Sequence, residues 1–192
     1  MRNSCGNLPE ALPRDVSFFQ TAVYYIGMKY VTTGDFPIGT LAVTEDGAGI
    51  CAVHVLPDAA EPSCGAEEFE RKETPLLRRA LVQLGEYFAG TRRTFDLPLS
   101  LKGTEFQLRV WNELLRIPYG KTTTYGRLAY RVGNAKACRA VGMANHRNPV
   151  MIIVPCHRVI GADGSLTGYA GGLNVKRLLL DLEAGFQALD LR

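Results

Sequence analysis

Cys156, His157 and Arg158 stand side by side, directly after Pro155 and the apolar run from Val150 to Val154. A thiol attacks only as its thiolate, and a neighbouring imidazole or guanidinium can stabilise that anion electrostatically. The same thiol buried among apolar side chains is an inert small hydrophobe. The apolar run reads as buried strand. Pro155 disfavours helix at Val154 and imposes irregular backbone at the cysteine. The stretch from Gly161 to Gly172 carries five glycines besides Tyr169 and Ala170, so its backbone can approach a bound ligand closely. On an extended strand Cys156 and His157 point to opposite faces. Contact between nucleophile and base therefore requires a bend or a bridging water.

The other cysteines, Cys5, Cys51, Cys64 and Cys138, show no regular spacing. The first ten residues contain no apolar h-region of a signal peptide. An odd number of cysteines in such a chain makes no disulfide framework, and a cytoplasmic protein is expected. No apolar run approaches the ~20 residues that span a bilayer. No Cys-x-x-Cys pair occurs, and Cys51 and His54 face opposite ways on a regular strand, so no metal site is expected.

Charge divides the chain. Residues 1–99 hold 9 Lys/Arg against 13 Asp/Glu (−4), and residues 100–192 hold 13 against 6 (+7), which sums to the net +3. Between Leu114 and Ala162 there are eight basic residues and no acidic one. A solvated face usually mixes both signs, so this stretch points to a polyanion, nucleic acid first.

The elements that must position these residues fall into two groups. Residues 1–26 carry no clear pattern and are expected to form an extension. From Met28 the chain alternates as β-strands: M-K-Y-V-T, G-T-L-A-V and I-C-A-V-H-V, the last two joined by the hairpin signal Asp46-Gly47. Thr74 and Pro75 open a helix that ends at Gly90. Residues 91–103 read as a linker, which places an α/β domain at 27–98 and a mostly helical one at 103–188. In the second, Thr104 and Gln107 make a capping box. Thr124 caps a helix to Gly133, Asn134 caps another from Ala135 to about Ala144, and Asn174 caps the last, to Gly185. The pair around Val132-Gly133-Asn134 has the form of a helix-turn-helix. Its second member is slim with alanines and carries Lys136 and Arg139, which suits close entry into a narrow groove.

The segments P-C-H-R-V-I-G, R-A-V-G-x-A-N-x-R-N-P and G-Y-A-G-G, together with G-T-E-F-Q-x-x-V-W, I-P-Y-G-K-T-x-x-Y-G and L-L-x-L-E, occur in order from Gly103 to Glu183. In this the chain resembles the O6-alkylguanine-DNA alkyltransferase family. The first half is similar only loosely, through its strands and F-P-I-G-T-L-A-V. The resemblance implies an α/β fold of two domains, a small ribonuclease-H-like sheet domain followed by the helical one. It implies stoichiometric, irreversible transfer of an alkyl group from guanine O6, with thymine O4 as a second substrate, to Cys156. It further implies a monomer acting on duplex DNA with no cofactor.

By the same resemblance His157 takes the thiol proton through a water, Glu183 orients His157, and Asn148 braces the turn around the cysteine. Tyr125 hydrogen-bonds the flipped base and supports proton donation, and Tyr169 packs over that base. Met151, Arg158 and Ala170 complete the substrate pocket. Arg139 fills the space left in the duplex, with Ala135, Lys136, Lys121 and Arg127 on the DNA. Base flipping follows from the chemistry, because O6 lies within the stack. Taken singly, each of these residues has an ordinary structural explanation; their joint presence at this spacing carries the reading. Two other readings remain at this stage. A lesion-binding module would use the helix pair without transfer and has no need of the thiol. A cysteine hydrolase would use Cys156 and His157 and leave the basic helices without purpose.

Overall fold

The structure, a computed structural model, describes residues 28–56 and 69–185. The expected extension at 1–26, Cys5, Cys64 and the positions after Gly185 lie outside the described residues. Strands β1 (Lys29–Phe36), β2 (Gly39–Glu45), β3 (Ile50–Val55) and β4 (Phe69–Arg71) form one sheet in the order β3-β2-β1-β4. The first three are antiparallel neighbours and β4 lies parallel to β1. At the β2–β3 turn the Asp46 carboxylate accepts from the Ala48 N–H, as the Asp-Gly signal predicts.

Helix α1 (Pro75–Phe88) starts where its sequence says it should, with the Thr74 hydroxyl accepting from the Leu77 N–H. Leu77, Ala80, Leu84 and Tyr87 recur at spacings of three and four and bury one face against β1 and β2. Each large apolar side chain buried this way contributes about 1.5–3 kcal/mol.

The linker expected at 91–103 is instead a strap bound to the sheet. The Ile50 N–H donates to Pro98 O at 2.8 Å and the Ser100 N–H donates to Ile50 O at 2.9 Å. Ser100 and Lys102 both reach the Asp46 carboxylate, at 2.8 and 2.7 Å. Gly49 permits this approach, since a Cβ there would stand 2.6 Å from Pro98 O. A second segment covers the same edge of β3: the Val53 N–H donates to Pro149 O, and the Met151 N–H donates to Val53 O. The edge strand is thus capped by backbone from the second half of the chain, which removes an open template for pairing.

Beyond the strap, α2 (Glu105–Leu115) carries the capping box at Thr104 and Gln107 and buries Val110, Trp111 and Leu114. The short strands β5 (Thr123–Thr124) and β6 (Val159–Ile160) pair in parallel. Helix α3 (Tyr125–Arg131), α4 (Cys138–His146) and α5 (Leu173–Glu183) complete the second half. Its apolar core, including Leu128, Val141, Ile152, Val154 and Leu179, is continuous with that of the sheet half. Among the described residues no helix is long and apolar enough to cross a membrane.

Three sequence expectations are corrected here. Helix α4 begins at Cys138 rather than Ala135, because Asn134 spends its side chain on a local turn, accepting from the Lys136 N–H. Ala135 and Lys136 therefore sit in the turn before the helix. Helix α5 is preceded by Gly172, and Asn174 lies inside its first turn. The run 150–154 is not a strand. Met151 and Val154 bridge each other and Ile152 has φ +71°, a conformation that costs a β-branched residue about 1–3 kcal/mol. Burial of Val150, Ile152 and Val154, all at 0 % exposure, outweighs that strain.

Candidate active site

The tight turn ends in a single 3-10 turn, Cys156–Arg158, so the opposed faces expected of an extended strand do not arise. Asn148 holds this arrangement from inside. Its Nδ2 donates to Val154 O at 2.8 Å and to the Cys156 Sγ at 3.1 Å, while its Oδ1 accepts from the Val150 N–H at 3.1 Å. One side chain thereby closes the turn and addresses the sulfur.

Cys156 is buried, with 6 % of its surface exposed. Burial pushes the thiol up, and the Asn148 hydrogen bond, the Lys176 charge and the backbone N–H groups of Cys156 and His157 oppose this without cancelling it. The sulfur therefore rests as a thiol, and its proton has to be removed for attack.

His157 is fully buried and its Nε2 lies 2.9 Å from Glu183 Oε1. Burial depresses the imidazole, with the Glu183 bond pulling the other way, so it stays neutral near pH 7. Glu183 would be pushed up by its burial, but hydrogen bonds from His157 and Arg158 win and hold it at about 2. An ionised carboxylate can only accept, which assigns the imidazole proton to Nε2. Nδ1 is then the basic nitrogen, and among the described residues it has no hydrogen-bond partner.

Arg158 requires a correction. It was expected beside the substrate, yet its guanidinium is buried and committed: Nε and Nη2 grip Glu183 at 2.8–3.2 Å and Nη1 donates to Ile117 O at 2.6 Å. Its role here is to keep Glu183 ionised and in place. Gly120 N adds a bond to Glu183 Oε2 at 3.0 Å.

Tyr125 opens α3, half-buried, with its hydroxyl donating to Thr167 O at 3.3 Å. Met151 is buried and a Cβ on Gly171 would touch both Met151 and the Tyr169 ring, which places the Gly161–Gly172 loop over the turn. Among the described residues the buried Tyr169 hydroxyl has no partner, and burial, then the Cys156 and Glu183 charges, push it well up. Ala170 is exposed on the same loop. Lys121, Arg127, Ala135, Lys136 and Arg139 are all exposed, around and on the α3–α4 pair. The turn joining those helices spans Val132–Ala137, longer than the three residues expected.

Two participants escaped the sequence reading. Lys176 is completely buried in α5 and donates to Val159 O at 2.7 Å and Thr167 O at 2.8 Å. Tyr87, from α1, donates to Glu183 Oε1 at 2.8 Å. A lysine at a core position of the α5 helical repeat was the available signal for the first; nothing in sequence marks the second. Cys51 and His54 lie on β3, Cys51 donating to Thr44 O, and no cluster of three metal-ligating side chains occurs among the described residues.

A chain organised in this way has close relatives. Residues 28–101 match the ribonuclease-like domain of 6-O-methylguanine DNA methyltransferase, and residues 105–185 match its DNA binding domain. The chain is 49% identical over 154 residues to the methylated-DNA–protein-cysteine methyltransferase of Methanosarcina acetivorans, covering 80% of this chain and 97% of that protein. The crystal structure of Mycobacterium tuberculosis O6-methylguanine methyltransferase superposes with a TM-score of 0.74 at 47% identity, over 85% of this chain and 98% of that one. The same Mycobacterium tuberculosis protein in complex with DNA gives a TM-score of 0.74 at 44% identity, over 85% and 97%. The two family matches span both halves of the chain, and the fold is that of the solved relatives: this chain belongs to the 6-O-methylguanine DNA methyltransferase family.

Proposed function

We propose that this chain moves an alkyl group, methyl first, from O6 of guanine in duplex DNA onto the sulfur of Cys156, once per molecule. The coarse activity, transfer of a methyl group from DNA to a protein cysteine, comes with the family, as does DNA as partner. The observation that carries the finer reading is that Asn148 holds the Cys156 sulfur while the adjacent His157 is held by Glu183 and Glu183 by Arg158. This is nucleophile, base and orienter logic.

In the proposed step His157 Nδ1 takes the thiol proton through a water as the sulfur attacks the alkyl carbon. The S–C bond forms, the C–O bond breaks, and the electron pair leaves on the base oxygen. Tyr125 supports delivery of a proton to the departing base, so that it leaves neutral. The product thioether is not cleaved by water, which makes the transfer irreversible without any cofactor.

The target base must leave the stack to meet a sulfur this deep. Extrusion costs a few kcal/mol, less for a poorly paired lesion. Arg139, in the first turn of α4, fills the gap, while Lys121, Arg127, Lys136 and the backbone at Ala135 hold the strands without reading sequence. Tyr169, Met151 and Ala170 wall the pocket. Thymine O4 presents the same chemistry and is the second substrate. The protein acts as a monomer in the cytoplasm.

Intact-protein mass spectrometry after incubation with a duplex containing O6-methylguanine tests this reading. One added methyl mass, located on the peptide bearing Cys156 and absent in Cys156→Ala, is expected. Equal transfer by Cys156→Ala would overturn it. Turnover of ester or amide substrates in its place would favour the hydrolase reading.

A further inference from the structure

We propose that Tyr87, on the sheet half, is a positioning residue for the alkyl transfer and acts through Glu183 on His157. The inference rests on the reading of Cys156, His157 and Glu183 given above. Tyr87 is fully buried, and its hydroxyl donates to Glu183 Oε1 at 2.8 Å across 96 residues of sequence. The same oxygen faces His157 Nε2 at 2.9 Å and Arg158 Nη2 at 2.8 Å. With Arg158 Nε at 3.2 Å, four donors from three residues crowd one carboxylate oxygen, whose lone-pair directions number two.

The phenol is fixed from its other sides. Tyr119 lies edge-on at 6.0 Å between ring centres and Phe95 at 5.5 Å. Burial, then the neighbouring Glu183 charge, push the phenol far up, so it remains a donor across the whole working range. A buried phenol needs an acceptor, and the one Tyr87 uses is the carboxylate oxygen that also faces His157. The bond does two things. It holds Oε1 in register with the imidazole, and it draws negative charge from the oxygen that grips the Nε2 proton. It therefore sets how basic Nδ1 is, from a helix that contributes no other atom to the network.

This tie has a partner on the nucleophile side. Val53 of β3 exchanges hydrogen bonds with Pro149 and Met151, at the start of the turn that carries Cys156. The sheet half thus reaches the network at both ends, through backbone at the turn and through one phenol at the carboxylate.

Tyr87→Phe keeps the ring and removes the bond. The transfer rate on methylated duplex is expected to fall about three- to tenfold, as for the net loss of one ordinary hydrogen bond. The acid limb of the pH–rate profile is expected to move to higher pH, because a less satisfied Glu183 raises the proton affinity of His157. The other charged or titratable groups around this pair, Arg158, Lys176, Tyr119 and Arg93, are the same in both proteins. Incorporating 3-fluorotyrosine at position 87, a stronger donor, shifts the limb the opposite way and carries the test if Tyr87→Phe does not fold. An acid limb that stays in place in the folded variant overturns the proposal, whether or not the rate changes. Cys156→Ala run in parallel separates the two failures: transfer by that variant sinks the site reading, whereas an unmoved limb with Cys156→Ala inactive sinks only the role of Tyr87.

Discussion

The ammonium of Lys176 lies over the Tyr125 ring, 5.8 Å from its centre, and donates to the carbonyls of Val159 and Thr167. One buried cation from α5 thus joins the strand after the cysteine turn, the loop over it and the tyrosine at the start of α3. Desolvation pulls the Lys176 ammonium down, while the nearby Cys156 holds it up, and the cation in turn opposes the rise of the thiol.

Removing that charge should therefore make the thiol harder to ionise. Lys176→Met is expected to shift the pH dependence of Cys156 alkylation by iodoacetamide to higher pH and to slow transfer. It should also destabilise the fold by about 1–3 kcal/mol, because the buried Val159 carbonyl loses its donor and Thr167 O keeps only the Tyr125 hydroxyl. Iodoacetamide labelling against pH and a urea titration measure the two effects separately.

Acid should unfold the protein through its own active site. Glu183 is held at about 2 when folded, below an unfolded value of about 4.3. Its contribution to stability is complete above that unfolded value and is lost as pH falls toward 2. His157 is likewise depressed, so its contribution is complete above about 6.5 and also declines on acidification. Both signs agree. Urea midpoints should fall steadily from about pH 6.5 downward, with the carboxylate accounting for about 3 kcal/mol of the loss.

Gly120 is expected to tolerate no side chain. Its φ is +68°, and a Cβ would stand 2.9 Å from Glu183 O while its N–H serves the Glu183 carboxylate. Gly120→Ala should lower stability by about 1–3 kcal/mol and slow transfer more than the lost stability explains. Thermal unfolding and single-turnover rates on the folded fraction check this.

The proposed function gives DNA handling to the basic face and chemistry to the buried site. Arg139→Ala should slow repair of O6-methylguanine in duplex DNA and leave reaction with the free alkylated base unchanged. Lys136→Ala should instead weaken binding to all duplexes alike and reduce the salt slope by about one. Rates on the two substrates and binding titrations over a salt series distinguish these outcomes.

Local chemistry was readable from residue order. The caps at Thr74, Thr104 and Thr124 hold as the sequence says, since a cap is made within four residues of itself. The thiol of Cys156, its neighbour imidazole and the basic character of 114–162 were equally visible, because residue type and adjacency carry them. Other features needed the folded chain. A run such as Val150–Val154 has the composition of a strand, and only burial on all sides makes a strained turn the better solution. Asn134 looked like a cap until a local turn claimed its side chain. Above all, Glu183 receives Tyr87 from 96 residues upstream, and Arg158 turns away from the pocket toward that same carboxylate. Hydrogen bonds between distant segments depend on how helices and sheet pack, and no periodicity along the chain encodes which buried donors will meet one carboxylate.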